Sequence, residues 1–215
     1  MMFVLGVCMH FLFDRAEKLP ENASAIDLLR SLIGGTLGIL ILLLLTQYTG
    51  NLMIMAPFGA TCVLLFAVSH SPLAKPRNVI FGHLIAAFVG LVFLKYIGTS
   101  IFAIAFAVGL SISLMHYFKC IHPPAGATTL VVLLTAQTTH YDWGFLIMPV
   151  LAGSVALIVV ALIVNNIKPN QKWPAYWFAL VKTRIEHHIE HHADTHFIEE
   201  QIEAQNPQPQ MRRQG

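Results

Sequence analysis

Between Ser31 and Ala74 the chain has no Asp, Glu, Lys or Arg, and further uncharged, mostly apolar runs follow at 78–94, 96–118, 120–141 and 143–167. Each is close to the roughly 20 residues that a helix needs to cross the hydrocarbon core of a bilayer. The first run is long enough for two crossings, and Thr46 to Asn51 supplies a polar turn between them. The pattern predicts six helical segments, at about 28–48, 53–70, 78–96, 101–118, 124–139 and 143–166. A polytopic, all-α membrane bundle is the expected fold class.

Two of these segments open alike. Pro57-Phe58-Gly59-Ala60-Thr61 and Pro124-Ala125-Gly126-Ala127-Thr128 share a Pro-x-Gly-Ala-Thr pattern 67 residues apart, and His122-Pro123 precedes the second. Proline has a fixed φ and no N–H, so it suits a first helical turn, and the small residues after it let a backbone or a solute approach closely. The motif marks two helix starts within or beside the bilayer. With six spans each would open the second helix of a three-helix set, from opposite sides. That arrangement is a three-plus-three inverted repeat with two proline-initiated short helices, a recurring transporter architecture. Outside the motif the halves share no convincing residue-level similarity, and Gly-Ala-Thr also serves close helix packing.

Basic residues fix an orientation, because Lys and Arg are retained in cytoplasmic loops. Six crossings with a cytoplasmic N-terminus place 12 of the 13 basic residues inside and leave Lys95 outside. Tyr48, Tyr96, Tyr141 and Trp143 then fall at the outer ends and Tyr117, Trp173 and Trp177 near the inner ones, as an aromatic belt requires. A four-crossing alternative, with both proline segments re-entrant, strands Lys75 and Arg77 outside. The expected location is a cell inner membrane with both termini cytoplasmic.

Composition agrees. With 56% hydrophobic and 11% charged residues and a mean hydropathy of +0.66, the chain lies outside the range of soluble domains. The net charge of +2, spread through loops, offers no nucleic-acid patch. Cys8, Cys62 and Cys120 are too few and scattered for a disulfide framework or a zinc site. Three regions follow: an interfacial segment at 1–27, whose opening Met1 to Phe13 is a poor signal peptide; a transmembrane domain at 28–167; and a cytoplasmic His-rich helix with a disordered tail at 168–215.

Between Ser31 and Ile167 the single acid is Asp142, in a predicted outer loop. Cation and proton carriers commonly use an intramembrane carboxylate, whereas anions are bound by helix N-terminal amides, hydroxyls and bases. The absence favours an anion or a small neutral solute. Gly59, Ala60, Thr61, Gly126, Ala127 and Thr128 would line its path, with Arg77 at an inner mouth. The simpler reading is that the small residues pack helices and that Arg77 anchors a loop. His83 and His116 lie within predicted spans and could relay a proton, although a packed neutral ring is the ordinary state. His122, ahead of two prolines, would cap the next helix or face the solute. In the tail, His187 with His191 and His188 with His192 have the i, i+4 spacing of a metal pair, but an exposed helix needs no metal and no closed ligand set is specified.

From Ala56 to Leu134 the chain resembles the HPP family of integral membrane proteins, named for the motif His122-Pro123-Pro124. The resemblance rests on Pro57 to Thr61, the region of Phe66, Ser71 to Asn78, Gly82-His83 and His122 to Thr128, in that order. Lys75 replaces an expected glutamine and Phe81 an expected glycine. The resemblance implies membrane transport, since plant chloroplast and cyanobacterial members are associated with nitrite movement. Some relatives carry a regulatory domain after the membrane part, where this chain has a short His-rich helix.

Together these features predict a transporter or channel-like protein for a small inorganic anion, nitrite foremost, embedded in lipid and needing no cofactor. Small residues on several spans suit a homo-oligomer. A non-transporting sensor or scaffold, its tail holding metal or a partner, is the alternative. No carboxylate pair, activated nucleophile or cofactor motif suggests an enzyme.

Overall fold

The computed structural model describes residues 23–167, 172–175 and 177. Residues 1–22 of the interfacial segment expected at 1–27, and the histidine pairs at 187, 188, 191 and 192, lie outside the described residues. Among those described there are helices and loops and no strands. Six helices follow in chain order: α1 Ala25–Thr49, α2 Ala56–Ala67, α3 Pro76–Ile97, α4 Ile101–Tyr117, α5 Pro123–Leu134 and α6 Trp143–Asn165. By length and composition α1, α3 and α6 can cross a membrane; α2, α4 and α5 are shorter apolar helices.

Local chemistry sets the ends. Ser24 caps α1 by accepting the Asp27 N–H, and Gly50, at φ 70°, closes it by donating to the Thr46 carbonyl at 3.0 Å. Pro76 opens α3 and Gly98, at φ 103°, ends it. Ser100 caps α4 through the Ala103 N–H. In α6 Met148 leaves helical geometry (φ −125°, ψ 116°) just before Pro149, and regular α-helix resumes at Ala152.

The two proline-initiated segments differ from the expected spans. Segments predicted at 53–70 and 124–139 form α2 and α5, each of 12 residues, or about 18 Å against the roughly 30 Å of the hydrocarbon core. Met55 before α2 and His122 before α5 are extended, and both are buried together with Met53 and Cys120.

The packing is that of a membrane protein. Large apolar side chains face outward, among them Phe102 at 87% and Leu32 at 66% exposure, which suits lipid rather than water. The inside is tightened by glycine. On α1 a Cβ at Gly34 would meet the Phe66 ring at 2.3 Å, and one at Gly38 would meet Leu157 and Phe66 at 3.2 Å. Leu42, Phe58, Leu65, Phe66, Val79, Val150 and Leu157 form the main core among α1, α2, α3 and α6. On the side where α3 starts, Asn78 donates to the carbonyls of Pro72 and Ile121, and Arg77 to that of Phe118, tying the loop before α3 to the loop before α5.

Candidate functional site

Helices α2 and α5 start in the same way. Met55 and His122 are extended, prolines follow, and the next free amide turns back: Phe58 N–H donates to the Met55 carbonyl and Ala125 N–H to that of His122, both at 2.9 Å. Thr61 and Thr128 each stand four residues after the first proline of the shared Pro-x-Gly-Ala-Thr pattern, one turn on and on the same face. Pro57, Thr61, Pro124 and Thr128 are all buried.

Both threonines reach one imidazole on α3. Thr61 Oγ1 lies 2.9 Å from His83 Nε2, and Thr128 Oγ1 lies 2.8 Å from His83 Nδ1. Thr61 Oγ1 is also 3.0 Å from His122 Nε2, and His122 Nδ1 is 2.9 Å from the Leu73 carbonyl oxygen. Phe58 and His122 each set a ring edge-on to His83, with centroids 5.1 Å apart. Thr61, His83, His122 and Thr128 are 0% exposed. The neighbouring residue Gly82 makes this possible, since a Cβ there would lie 2.8 Å from His122 Cβ.

With both rings neutral, one arrangement of hydrogens satisfies all of these contacts. The Leu73 carbonyl only accepts, so His122 carries its hydrogen on Nδ1 and accepts at Nε2, which makes Thr61 the donor there. With its proton so committed, the Thr61 oxygen accepts from His83 Nε2–H. His83 Nδ1 is then an acceptor, filled by the Thr128 hydroxyl. Donation thus runs one way, from Thr128 through His83, Thr61 and His122 to Leu73, and every side chain in the chain of bonds is satisfied. The carbonyl of Pro57, 3.2 Å from Thr61 Oγ1, is the competitor for the Thr61 proton.

The other predicted residues are placed differently. Gly59 and Ala60 lie on the exposed face of α2; Pro123 and Ala127 are exposed on α5, where Gly126 is half-buried. Arg77 is exposed with its guanidinium on the Phe118 carbonyl, 2.8 Å away, and His116 is exposed. A cleft of about 210 Å³ beside the start of α3 is instead lined by Ser69, His70, Ser71, Lys75, Lys172 and Trp173. Two features escaped the sequence reading: the Leu73 carbonyl, and a second buried set in which Ser111 meets Thr129 at 2.8 Å and Thr129 donates to the Ala86 carbonyl at 2.9 Å. Thr129, next to Thr128 in the motif, was the available signal. Among the described residues no three His, Cys, Asp or Glu side chains gather as a metal site.

His122, Pro123 and Pro124 therefore stand where the buried chain of bonds enters α5, and the transmembrane region of the HPP family matches residues 20–174. The chain belongs to this family. The HPP match runs past α6 to Trp173, whose indole N–H donates to the Ser69 carbonyl at 3.1 Å and whose backbone is held by Asn166. Two transmembrane proteins of Dictyostelium discoideum are similar to it. One is 36% identical over 170 residues, 75% of this chain and 55% of the relative. The other is 39% identical over 125 residues, 56% of this chain and 44% of the relative. The chain thus spans about half the length of the curated relatives it matches. No solved structure matches it.

Proposed function

We propose that this HPP protein carries a small inorganic anion, nitrite foremost, across a cell inner membrane through a bundle of six spans with both termini in the cytoplasm. One observation carries the reading: the threonines of the two Pro-x-Gly-Ala-Thr helix starts converge on the two ring nitrogens of His83 in a buried site. The acids among the described residues, Asp27 and Asp142, stand in the first turn of α1 and before α6. A buried set of hydroxyls and imidazoles without a carboxylate suits an anion and disfavours a cation.

Inverted three-helix halves are supported by paired features. Gly82 on α3 packs against the start of α5, at His122 and Ala125, while Gly153 on α6 packs against the start of α2, at Phe58 and the Met53 carbonyl. Phe58 and Ala125 occupy the same position of the repeated motif. Short helices starting inside the bundle bring polar loops toward the midplane, which is tolerated where the irregular backbone is buried in protein. The cleft with Lys75 and Lys172 adds positive charge beside the cytoplasmic end of α3, where an anion would gather. The exposed Gly59 and Ala60 face of α2 suits close approach of a second copy.

The test is nitrite flux into proteoliposomes of purified protein, against protein-free vesicles and against nitrate, chloride and formate. Saturable nitrite-preferring uptake is expected, and Thr61→Val and Thr128→Val should each reduce it at least tenfold while leaving folded protein in the membrane. Wild-type flux in both variants would remove the threonines from the path.

A further inference from the structure

The chain of bonds has an open beginning. Thr128 is its first donor, and its hydroxyl bonds to His83. At the far end the Leu73 carbonyl lies in the turn Pro72–Ala74, where Pro72 is exposed. His83 can gain a proton only at Nδ1, because Nε2–H is already committed to Thr61. Nδ1 is the atom that the Thr128 hydroxyl occupies.

We propose that His83 is the proton carrier of an electroneutral proton–anion symport, in which protonation at Nδ1 reverses the Thr128 bond and frees the Thr128 hydroxyl to hold the anion. This rests on the anion-transport reading above. The balance is simple. A hydronium ion from the acidic side gives its proton to the Nδ1 lone pair and leaves as water; the new Nδ1–H donates to Thr128 Oγ1; the Thr128 proton stays on its oxygen and turns to the anion. The site then holds one cation and one anion, and loss of both restores the neutral chain. No other bond forms or breaks. Every side chain is fully buried here, so the structure is a closed state and the exchange belongs to states open to one side.

The side chains around the His83 ring are Phe58 and Thr61 from α2, Thr128 from α5, and His122, whose Nδ1–H is held by Leu73. The other titratable groups on packed elements, among the described residues, are the buried thiols Cys62, on α2 beside Gly38, and Cys120, in a cluster with Ala86, Met115 and Ala125, the exposed His116 and Tyr117 of α4, and Tyr141, whose hydroxyl meets that of Thr135. Lys75 and Arg77 at the start of α3 are exposed, and α6 carries no titratable side chain between Gly144 and Asn165. An anion entering such a low-dielectric site alone would carry a large desolvation cost, and a proton taken up with it offsets that cost.

The experiment is nitrite uptake into wild-type proteoliposomes, with the pH gradient and the membrane potential set independently and the leak of protein-free vesicles subtracted. Symport predicts uptake driven by an inward proton gradient, accumulation of about tenfold per pH unit, internal acidification in step with nitrite, and indifference to the potential. Flux that follows the potential and ignores the proton gradient would overturn the symport and leave anion transport standing. Absence of flux above the protein-free vesicles would overturn the transport reading itself. In the folded variant His83→Gln, proton-driven uptake should fall at least tenfold, whereas Thr128→Ser, which keeps the hydroxyl, should retain the proton dependence that Thr128→Val loses. Proton-driven uptake in His83→Gln equal to wild type would assign the proton to another group.

Discussion

Gly82 lies against His122 so closely that a Cβ on Gly82 would come within 2.8 Å of the His122 Cβ. Substitution there is a steric probe of the cluster that removes no polar group. Gly82→Ala should destabilise the protein by about 1–3 kcal/mol, the usual range for overpacking, and Gly153→Ala, whose Cβ would meet the Phe58 ring at 2.5 Å, should do the same. Gly59→Ala and Gly126→Ala meet nothing within 4 Å and should shift stability by less than about 1 kcal/mol, favourably where the helix gains propensity. Thermal unfolding of the four variants in detergent separates the two pairs.

Thr61 joins both histidines through one hydroxyl. In Thr61→Val, His83 Nε2–H loses its acceptor and His122 Nε2 its donor. An unsatisfied buried polar group costs about 1–3 kcal/mol, while hydrogen bonds within membrane bundles average nearer 0.6 kcal/mol, so a loss of about 1–3 kcal/mol in total is expected. Thr61→Ser keeps the hydroxyl and should recover most of it. A valine variant as stable as the serine variant would show that the hydroxyl contributes nothing to the fold.

Much of the bundle was legible in the sequence. The segments predicted at 78–96 and 101–118 became α3 and α4 almost end for end, because charge and hydropathy set where a helix can lie in lipid. The shortness of α2 and α5 was not legible. Met53 and Met55 fell in the segment read as helix, yet they lie before α2 in a buried non-helical stretch, since tertiary burial rather than local propensity decides their state. The break at Met148 had a visible signal in Pro149 that the hydrophobic pattern concealed. At the site, the motif pointed to Thr61, His122 and Thr128, and Gly82-His83 stood out separately. That one imidazole takes both threonines depends on contacts across 22 and 45 residues, which no local pattern encodes.

Cys120 offers a chemical test of the loop before α5. The side chain is 1% exposed, and burial pushes its thiol above the ordinary range, against a smaller opposing pull from Arg77. A raised pKa leaves little thiolate at neutral pH, and the thiolate is the nucleophile. Native protein treated with a maleimide should therefore leave the Cys120 peptide unmodified by mass spectrometry, and denatured protein should label it fully. Rapid native labelling would mean that this loop opens.

Asn166 clamps the segment after α6 with three hydrogen bonds, donating to the carbonyls of Leu162 and Trp173 and accepting the Trp173 N–H. Asn166→Ala should release Lys172 and Trp173 and raise tryptic cleavage after Lys172 roughly tenfold, about the effect of removing 1.4 kcal/mol of local protection. Cleavage at the wild-type rate would place the hold on this segment in the Trp173 indole bond instead.

The long reach of the His83 bonds also sets an order of events at birth. When α3 enters the bilayer, Thr61 has already been made, but Thr128 is 45 residues away and α5 is still to come. His83 therefore waits with one ring nitrogen bare, and the Leu65 carbonyl waits 100 residues for the amide of Asn165. The nascent bundle is held together by glycine contacts and apolar packing first, and its polar centre closes only when the second short helix arrives. A chain stopped between α4 and α5 would leave that nitrogen to pair with any donor within reach.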